Sequence, residues 1–440
     1  MEVVIAIFSG FLFTFFLYFF VFFRLNKNKR LELIDWFLIS LASFNGLIFT
    51  FVVWATYEGR NPSYVFSYYV LSLDINLIIV YLILNFCLAF CVYIGWNLTS
   101  LILKKQNLKT FEEKIYFKRI LLISWIMFFL SVIAYWLYTK AYGGFISYLS
   151  YANTIRSGVF TVQNFFSFLQ RFGGFSFFSS YTFFALFIDN KFKSKSVIIG
   201  LILSFFFSLY VLYSWVGRVA LVVFISTFLL GHVLYSYKSN LNFVRKIFFY
   251  AVLSFLLLVF ADLILGRSSN NIGLIEFFSK EFAFSLATFY SVINLSQHRW
   301  FVDLIVSPLY ILPMRTWSGL LNIETASSFN TFLISGARKG EMGIYGEIPV
   351  DMLSFSLMQS NILGIFVVGL IWGVILYKIQ RLINKIPVTS IRSVISANLI
   401  LNVVILSVMY GDPQHIIVRN FYMIIGCLLL NLTLRIRLQK

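Results

Sequence analysis

The feature that most constrains this chain is a series of eleven apolar stretches, at 3–23, 33–55, 68–99, 120–138, 170–188, 197–214, 219–235, 247–265, 352–377, 393–410 and 417–434. A bilayer core of about 30 Å takes roughly 20 apolar helical residues to cross. Only helices or closed barrels satisfy their backbone polar groups there. The sequence therefore predicts an all-α, polytopic integral membrane protein of about eleven transmembrane helices, forming a single transmembrane helical domain over 1–440. Composition agrees: only 12% of residues are charged and mean hydropathy is +0.87, whereas a globular domain is about a quarter charged. Glu2 and no basic residue precedes the stretch Val3–Phe23, which reads as a retained span rather than a cleaved signal peptide.

The net charge of +18 resembles that of a nucleic-acid binder, but its placement does not. With the N-terminus outside and the C-terminus inside, the inside segments hold 23 of the 35 Lys and Arg, as the positive-inside rule requires. Nucleic acid is excluded as a partner on that ground. Residue type sorts as well: inside there are 15 Lys and 8 Arg, outside 3 Lys and 9 Arg. Topology explains the lysines. Outside arginines run against it, and their planar fork of donors suits phosphate, carboxylate and sugar hydroxyls. The competing explanation is that they pair with outside acids such as Glu276, Glu281 or Asp303. Cys87, Cys91 and Cys427 all fall in apolar stretches and read as packing residues.

Two outside segments are substantial. Residues 139–169 carry Tyr142, Tyr148, Tyr151, Asn153, Arg156 and Gln163. Residues 266–351 form the large loop, in which Ile272–Ile293 reads as an amphipathic helix and Phe301–Pro313 is nearly apolar. Both are expected to lie in the membrane interface.

No Walker loop, zincin motif, nucleophile elbow or paired-aspartate motif is present, so the expected chemistry uses no cofactor and no metal. Four constellations remain. Arg218 follows Ser214-Trp215-Val216-Gly217 at the start of an apolar helix, where the dipole and free N–H groups favour an anion; an arginine snorkelling to the interface would look the same. Leu312-Pro313-Met314-Arg315-Thr316-Trp317, followed by Asn330, has a composition suited to stacking and hydrogen-bonding a sugar, and is also ordinary interfacial chemistry. The run Gly340–Asp351 leads into the ninth span, with Pro349 suited to its first turn; Glu347 and Asp351 would share a face if both fall on the helix. Either is a candidate general base or a helix-capping acid. Tyr410-Gly411-Asp412-Pro413-Gln414-His415 and Arg419 close the last outside turn, with His415 a further candidate base. Asp74 and Asp262 lie just inside spans, where carboxylates are functional by default.

Together these features resemble the Wzy family of O-antigen polymerases. The resemblance covers most of the chain as topology; its more specific parts are Tyr148–Gly158, Gly217-Arg218, Pro313-x-Arg315 with Asn330, and the glycine-rich run through Glu347-Ile348-Pro349. It implies an architecture like that of the GT-C lipid-linked glycosyltransferases, in the bacterial inner membrane with the site facing the periplasm. The implied reaction transfers a glycan from undecaprenyl pyrophosphate to another lipid-linked repeat unit. Arg218, Arg156, Arg315 and Arg419 would bind pyrophosphate; Trp317, Asn330, Tyr151 and Arg299 would bind glycan; Glu347, Asp351 or His415 would be the base. The implied partners are the undecaprenyl-pyrophosphate-linked oligosaccharide, membrane lipid and a chain-length regulator protein. An O-antigen ligase is the nearest alternative, although the large loop offers it only His298. A lipid-linked oligosaccharide flippase or other transporter is the next, and would show charges lining many spans and no long outside segment.

Overall fold

A computed structural model describes residues 2–60, 75–103, 113–157, 164–189, 194–236, 246, 249, 253, 256, 275, 276, 279, 282–312, 323–342, 344, 346–386 and 389–435. Among the described residues the chain is entirely helical. Eight helices are long and apolar enough to cross a membrane, nine if Pro413–Arg419 and Phe421–Leu432, bent by 60°, are counted as one span. The chain is a multi-pass membrane protein by helix length and hydropathy.

The chain packs as two compact units. The first comprises Met1–Gln106, Ser269–Arg381 and Val403–Ile417. Its first two helices are α1 (Glu2–Asn28) and α2, which runs from Leu33 to Tyr57 through a π-helical turn at Ser43–Ile48. α3 spans Ile75–Ile102. The large loop contributes α4 (Phe284–Ile293), α5 (Val302–Val306) and α6 (Ala326–Ser335). α7 (Met352–Asn384) is the longest helix, and its last residues pass into the second unit.

Lipid explains the outer face of this unit: Phe8, Phe15, Phe19 and Phe23 of α1 are all more than half exposed. Lipid gives no hydrophobic drive between helices, so close packing needs small residues. α3 and α7 supply them. A Cβ on Gly95 would stand 2.3 Å from the Leu370 carbonyl, and one on Gly373 would stand 2.1 Å from that of Val92. Buried side-chain amides add a polar tie, Asn45 Nδ2 of α2 donating to Asn85 Oδ1 of α3 at 2.7 Å. At the end of α7 away from Met352, Gln380 accepts from the Leu33 amide at 3.0 Å. Nearby on the chain, Arg24 bridges Asp35 at 2.6 Å and Glu32 at 3.0 Å.

The large loop packs inward: Phe284, Leu286, Ala287, Phe289 and Val292 of α4 are buried within the unit. Of the expected helix Ile272–Ile293, the described positions Ile275, Glu276 and Ser279 are helical. One expectation about this unit needs correction: the span expected at 352–377 is not continuous. Ser360 (φ −166°, ψ 43°) and Asn361 (φ 52°, ψ −138°) break α7 into Met352–Gln359 and a long arm. The arm from Ile362 to Asn384 is about 34 Å long at 1.5 Å per residue, enough to span alone. The break frees backbone carbonyls, and two find partners in the large loop: Met358 accepts from the Arg299 amide at 3.0 Å and Gln359 from that of Trp300 at 2.7 Å.

The second unit comprises Asn107–Ser268, Leu382–Asn402 and Val418–Lys440. Its helices are α8 (Glu113–Lys140), α9 (Phe145–Ser157), α10 (Phe175–Ile188), α11 (Lys195–Ser214) and α12 (Arg218–Tyr235). α13 (Thr389–Leu399) and α14 (Phe421–Arg435) complete it. Tyr135, Phe178, Tyr181, Phe224, Val394 and Tyr422 are among its core residues. The span expected at 170–188 is a 3-10 helix over Ser167–Gly174 followed by the 14-residue α10. Gly173 and Gly174 explain the tight segment, since a Cβ on the former would meet the Tyr135 ring at 2.8 Å. The stretch 247–265 and Asp74, Asp262, Arg315 and Trp317 lie outside the described residues.

Candidate functional site

In the first unit, three segments far apart in sequence converge on the start of α7. The Ile348 amide donates to Thr331 Oγ1 of α6 at 2.8 Å. Asn330 Nδ2 donates to the carbonyls of Ile348 and Pro349 at 3.1 and 3.3 Å and to Thr288 Oγ1 of α4 at 3.2 Å. The Gly411 amide donates to the Val350 carbonyl at 2.7 Å. Gly411 has to be glycine here, because a Cβ would stand 2.6 Å from Met352 Cα. The Glu347–Asp351 segment is thus held outside the helix, and the two acids do not share a helix face. Pro349 precedes the first helical residue by three positions instead of sitting in the first turn.

This geometry separates the candidate bases. Glu347 remains about one-fifth exposed and approaches His415, also one-fifth exposed, with Oε2 and Nε2 4.0 Å apart. That separation is too long for a direct hydrogen bond. Burial raises the Glu347 pKa above its usual range, partly opposed by Lys339. A carboxylate so placed accepts protons more readily than an exposed one. Asp351 is fully buried, and burial pushes its pKa up to about 7 against the lowering effect of the Ser354 hydroxyl and nearby amides. Those donors lie close by, yet neither Asp351 oxygen is in hydrogen-bonding geometry with any of them.

Arg299, Asp303 and Asp412 are engaged in holding the fold. Arg299 donates through Nε and Nη2 to Asp303 at 2.6 and 2.8 Å and through Nη2 to the Glu324 carbonyl at 2.6 Å. Its guanidinium also lies 5.2 Å from the Phe329 ring centroid. Of the two explanations for an outside arginine, pairing with an acid therefore describes Arg299. Gln359 of the broken helix donates to Asp303 at 2.8 Å. Asp412, fully buried, accepts from the Ser327 amide and hydroxyl and from the Gln414 amide, each at 2.9 Å. Its pKa is pushed up to about 6 by burial and by the charge of Asp303, against these hydrogen bonds.

In the second unit, Arg156 on α9 donates to the Val216 carbonyl. Val216 has φ 51°, and Gly217 caps α12, of which Arg218 is the first residue. The turn between α11 and α12 therefore has one arginine on its carbonyl side and another at the helix start. Tyr151 is 40% exposed, beside a tyrosine cluster in which Tyr138 and Tyr148 hydroxyls lie 3.0 Å apart. Arg419 ends the short helix Pro413–Arg419 and is half-buried.

Asn330, expected to bind glycan, is buried and anchors the Glu347 loop. One residue escaped the sequence reading, Gln359, although it had a visible signal in the polar run Gln359-Ser360-Asn361 inside an expected span. Compared with protein-family models, curated proteins and solved structures, the chain matches none.

Proposed function

We propose that this protein is a surface-polysaccharide (O-antigen) polymerase, transferring a growing glycan from undecaprenyl pyrophosphate onto another lipid-linked repeat unit. The reading includes eleven spans, N-out and C-in, in a GT-C-like architecture in the bacterial inner membrane, with the reaction on the periplasmic face. The observation that carries it is the meeting of Glu347 and His415, 68 positions apart, at one partly open point of the first unit. Two atoms 4.0 Å apart can share a single hydroxyl at about 2.8 Å from each, which is what an acceptor sugar would present.

In the proposed reaction the acceptor hydroxyl oxygen forms a bond to the donor's anomeric carbon. The bond from that carbon to the pyrophosphate oxygen breaks, and the hydroxyl proton passes to the Glu347 carboxylate. His415 orients the hydroxyl and later receives the proton. Undecaprenyl pyrophosphate leaves with the electron pair of the broken bond; taken by itself, the second unit offers a candidate anion-binding turn, with Arg218 at the start of α12 and Arg156 on the preceding carbonyl. Asp351 is enclosed, so Glu347 is preferred as base. A chain-length regulator is the proposed protein partner.

Deletion of the gene tests the reading. A strain lacking the polymerase displays surface glycan capped with one repeat unit, whereas loss of a ligase leaves lipid-linked polymer without surface glycan. The second phenotype would assign the protein to ligation.

A further inference from the structure

Part of the large loop leaves its apolar surface uncovered. From Trp300 to Leu312 the only charged residue is Asp303, which is fully buried. Asp303 and Val306 of α5 and Tyr310 of the 3-10 helix Ser307–Ile311 face inward, spaced as one helical stripe. Val306 and Tyr310 pack against Val302, Ile323 and Ile417. Trp300, Ile305, Leu309 and Leu312 face outward and are 66%, 74%, 38% and 43% exposed. The Ser307 hydroxyl is satisfied by the Leu304 carbonyl at 2.7 Å. One face of the segment is thus tied into the unit, and the other is apolar, uncharged and open.

The break in α7 fixes where this open face lies in the bilayer. The Trp300 amide donates to the Gln359 carbonyl at 2.7 Å, which holds Trp300 at the end of the long arm beginning at Ile362. That arm, about 34 Å long, covers a hydrocarbon core of about 30 Å, so its first residues stand at one edge of the core. Ile362, Leu363 and Phe366 at that end are 55%, 56% and 47% exposed, as a lipid-facing surface requires. The open face of Trp300–Leu312 adjoins this surface at the level of the membrane edge. Tryptophan suits that level, because its ring is apolar and its N–H reaches the head groups. Trp300 (φ 49°) and Phe301 (φ 64°) also hold left-handed backbone, which bulky residues rarely adopt. Such strain persists where surrounding contacts impose it, here the α7 carbonyls on one side and the Arg299–Asp303 pair on the other.

We propose that Trp300–Leu312 is an interfacial anchor whose apolar face enters the phospholipid acyl chains at the edge of the bilayer and holds the break of α7 at that depth. Water is disfavoured against this face, because it would hydrate large apolar side chains with no charge among them. Phospholipid is favoured over a second protein, because the face adjoins a surface that lipid already covers. The inner face transmits the anchoring: Asp303 accepts from Arg299 and from Gln359 at the break. The inference is independent of the glycan reading, because it concerns the resting protein in any bilayer.

The test places wild-type protein in phosphatidylcholine nanodiscs that contain a phosphatidylcholine with a diazirine in its acyl chain. After irradiation and digestion, mass spectrometry is expected to find label on Ile305 and Leu309 as well as on the exposed Phe15 and Phe19 of α1. A second measurement attaches a nitroxide at Ile305→Cys, Phe15→Cys or the exposed Arg30→Cys, in a chain with Cys87, Cys91 and Cys427 replaced by Ala. At 305, as at 15, collisions with oxygen are expected to exceed those with a water-soluble nickel chelate severalfold, and at 30 the order reverses. The photolabelling stands even if a labelled variant fails to fold. Acyl-chain label confined to the spans, with none from Trp300 to Leu312, overturns the proposal. A nitroxide at 305 that meets the chelate as readily as one at 30 overturns it in favour of an aqueous face. One screened from both reagents overturns it in favour of a second protein.

Discussion

Replacing Arg299 by Ala tests whether this arginine holds the fold or meets a ligand. Its side chain is only 11% exposed, that of Asp303 not at all, and the pair is bidentate at 2.6 and 2.8 Å. Removing one partner of such a pair leaves a buried, uncompensated charge, at a cost of about 3–5 kcal/mol. Asp303 would keep only the Gln359 amide, worth about 1–2 kcal/mol as a bond to a charged group. The Glu324 carbonyl also loses its donor, so the expected destabilisation lies at the upper end, about 4–5 kcal/mol. Arg299→Lys recovers part of this, because an ammonium keeps the charge and loses the fork. Arg299→Met with Asp303→Leu recovers most of it, because the charge is removed from both sides. Unfolding by SDS in mixed micelles at pH 7, followed by tryptophan fluorescence, measures each variant. Arg299→Ala as stable as the wild type but unable to bind lipid-linked glycan would refute the structural role and restore Arg299 to the ligand site.

Four further outcomes follow from the same geometry. The raised Asp351 pKa of about 7 makes its contribution to stability fully present below the ordinary carboxylate pKa. That contribution is lost as pH rises through about 7, on the order of 4 kcal/mol in all; Asp351→Asn removes this component from thermal melts run from pH 4 to 9 and leaves the falls due to Asp412 and Glu347. Asn330→Ala deprives the Ile348 and Pro349 carbonyls of their donor, costing about 2–3 kcal/mol and increasing proteolysis between Gly340 and Asp351. Asn361→Gly is neutral or stabilising at a position with φ 52°, whereas Asn361→Val costs about 1–2 kcal/mol in the same melts. Gly373→Ala puts a methyl group 2.1 Å from the Val92 carbonyl and costs about 1–3 kcal/mol by forcing α3 and α7 apart.

The sequence made the membrane and most spans legible, because a 20-residue apolar run has few alternatives. The breaks were harder to see. Ser360 and Asn361 interrupt an expected span, and the 3-10 segment Ser167–Gly174 interrupts another, because a window of average hydropathy does not register one or two residues of altered backbone. For the site, residue type indicated Glu347 and His415 only as separate, alternative bases, and no local pattern linked positions 347 and 415, which packing brings within 4.0 Å. The sequence left Arg299 and Asn330 as ligand candidates. The structure gives the first an acid and the second two carbonyls, partners brought close only by tertiary packing. Asp351 and Glu347 are four residues apart and looked equivalent. A non-helical segment in place of a helix gives them opposite surroundings, one enclosed and one partly open.

The most direct test of the central claim is polymerisation in vitro. Purified protein in nanodiscs is incubated with undecaprenyl-pyrophosphate-linked repeat units, and the glycan ladder and released lipid pyrophosphate are measured from pH 5 to 8. The wild type gives a ladder whose rate rises with pH as Glu347 ionises, with an acid limb displaced above the ordinary carboxylate range. Glu347→Gln, inserted and folded normally, loses about 10²-fold or more of that rate. A wild type that releases no lipid pyrophosphate, or a Glu347→Gln variant that polymerises at the wild-type rate, would contradict the account.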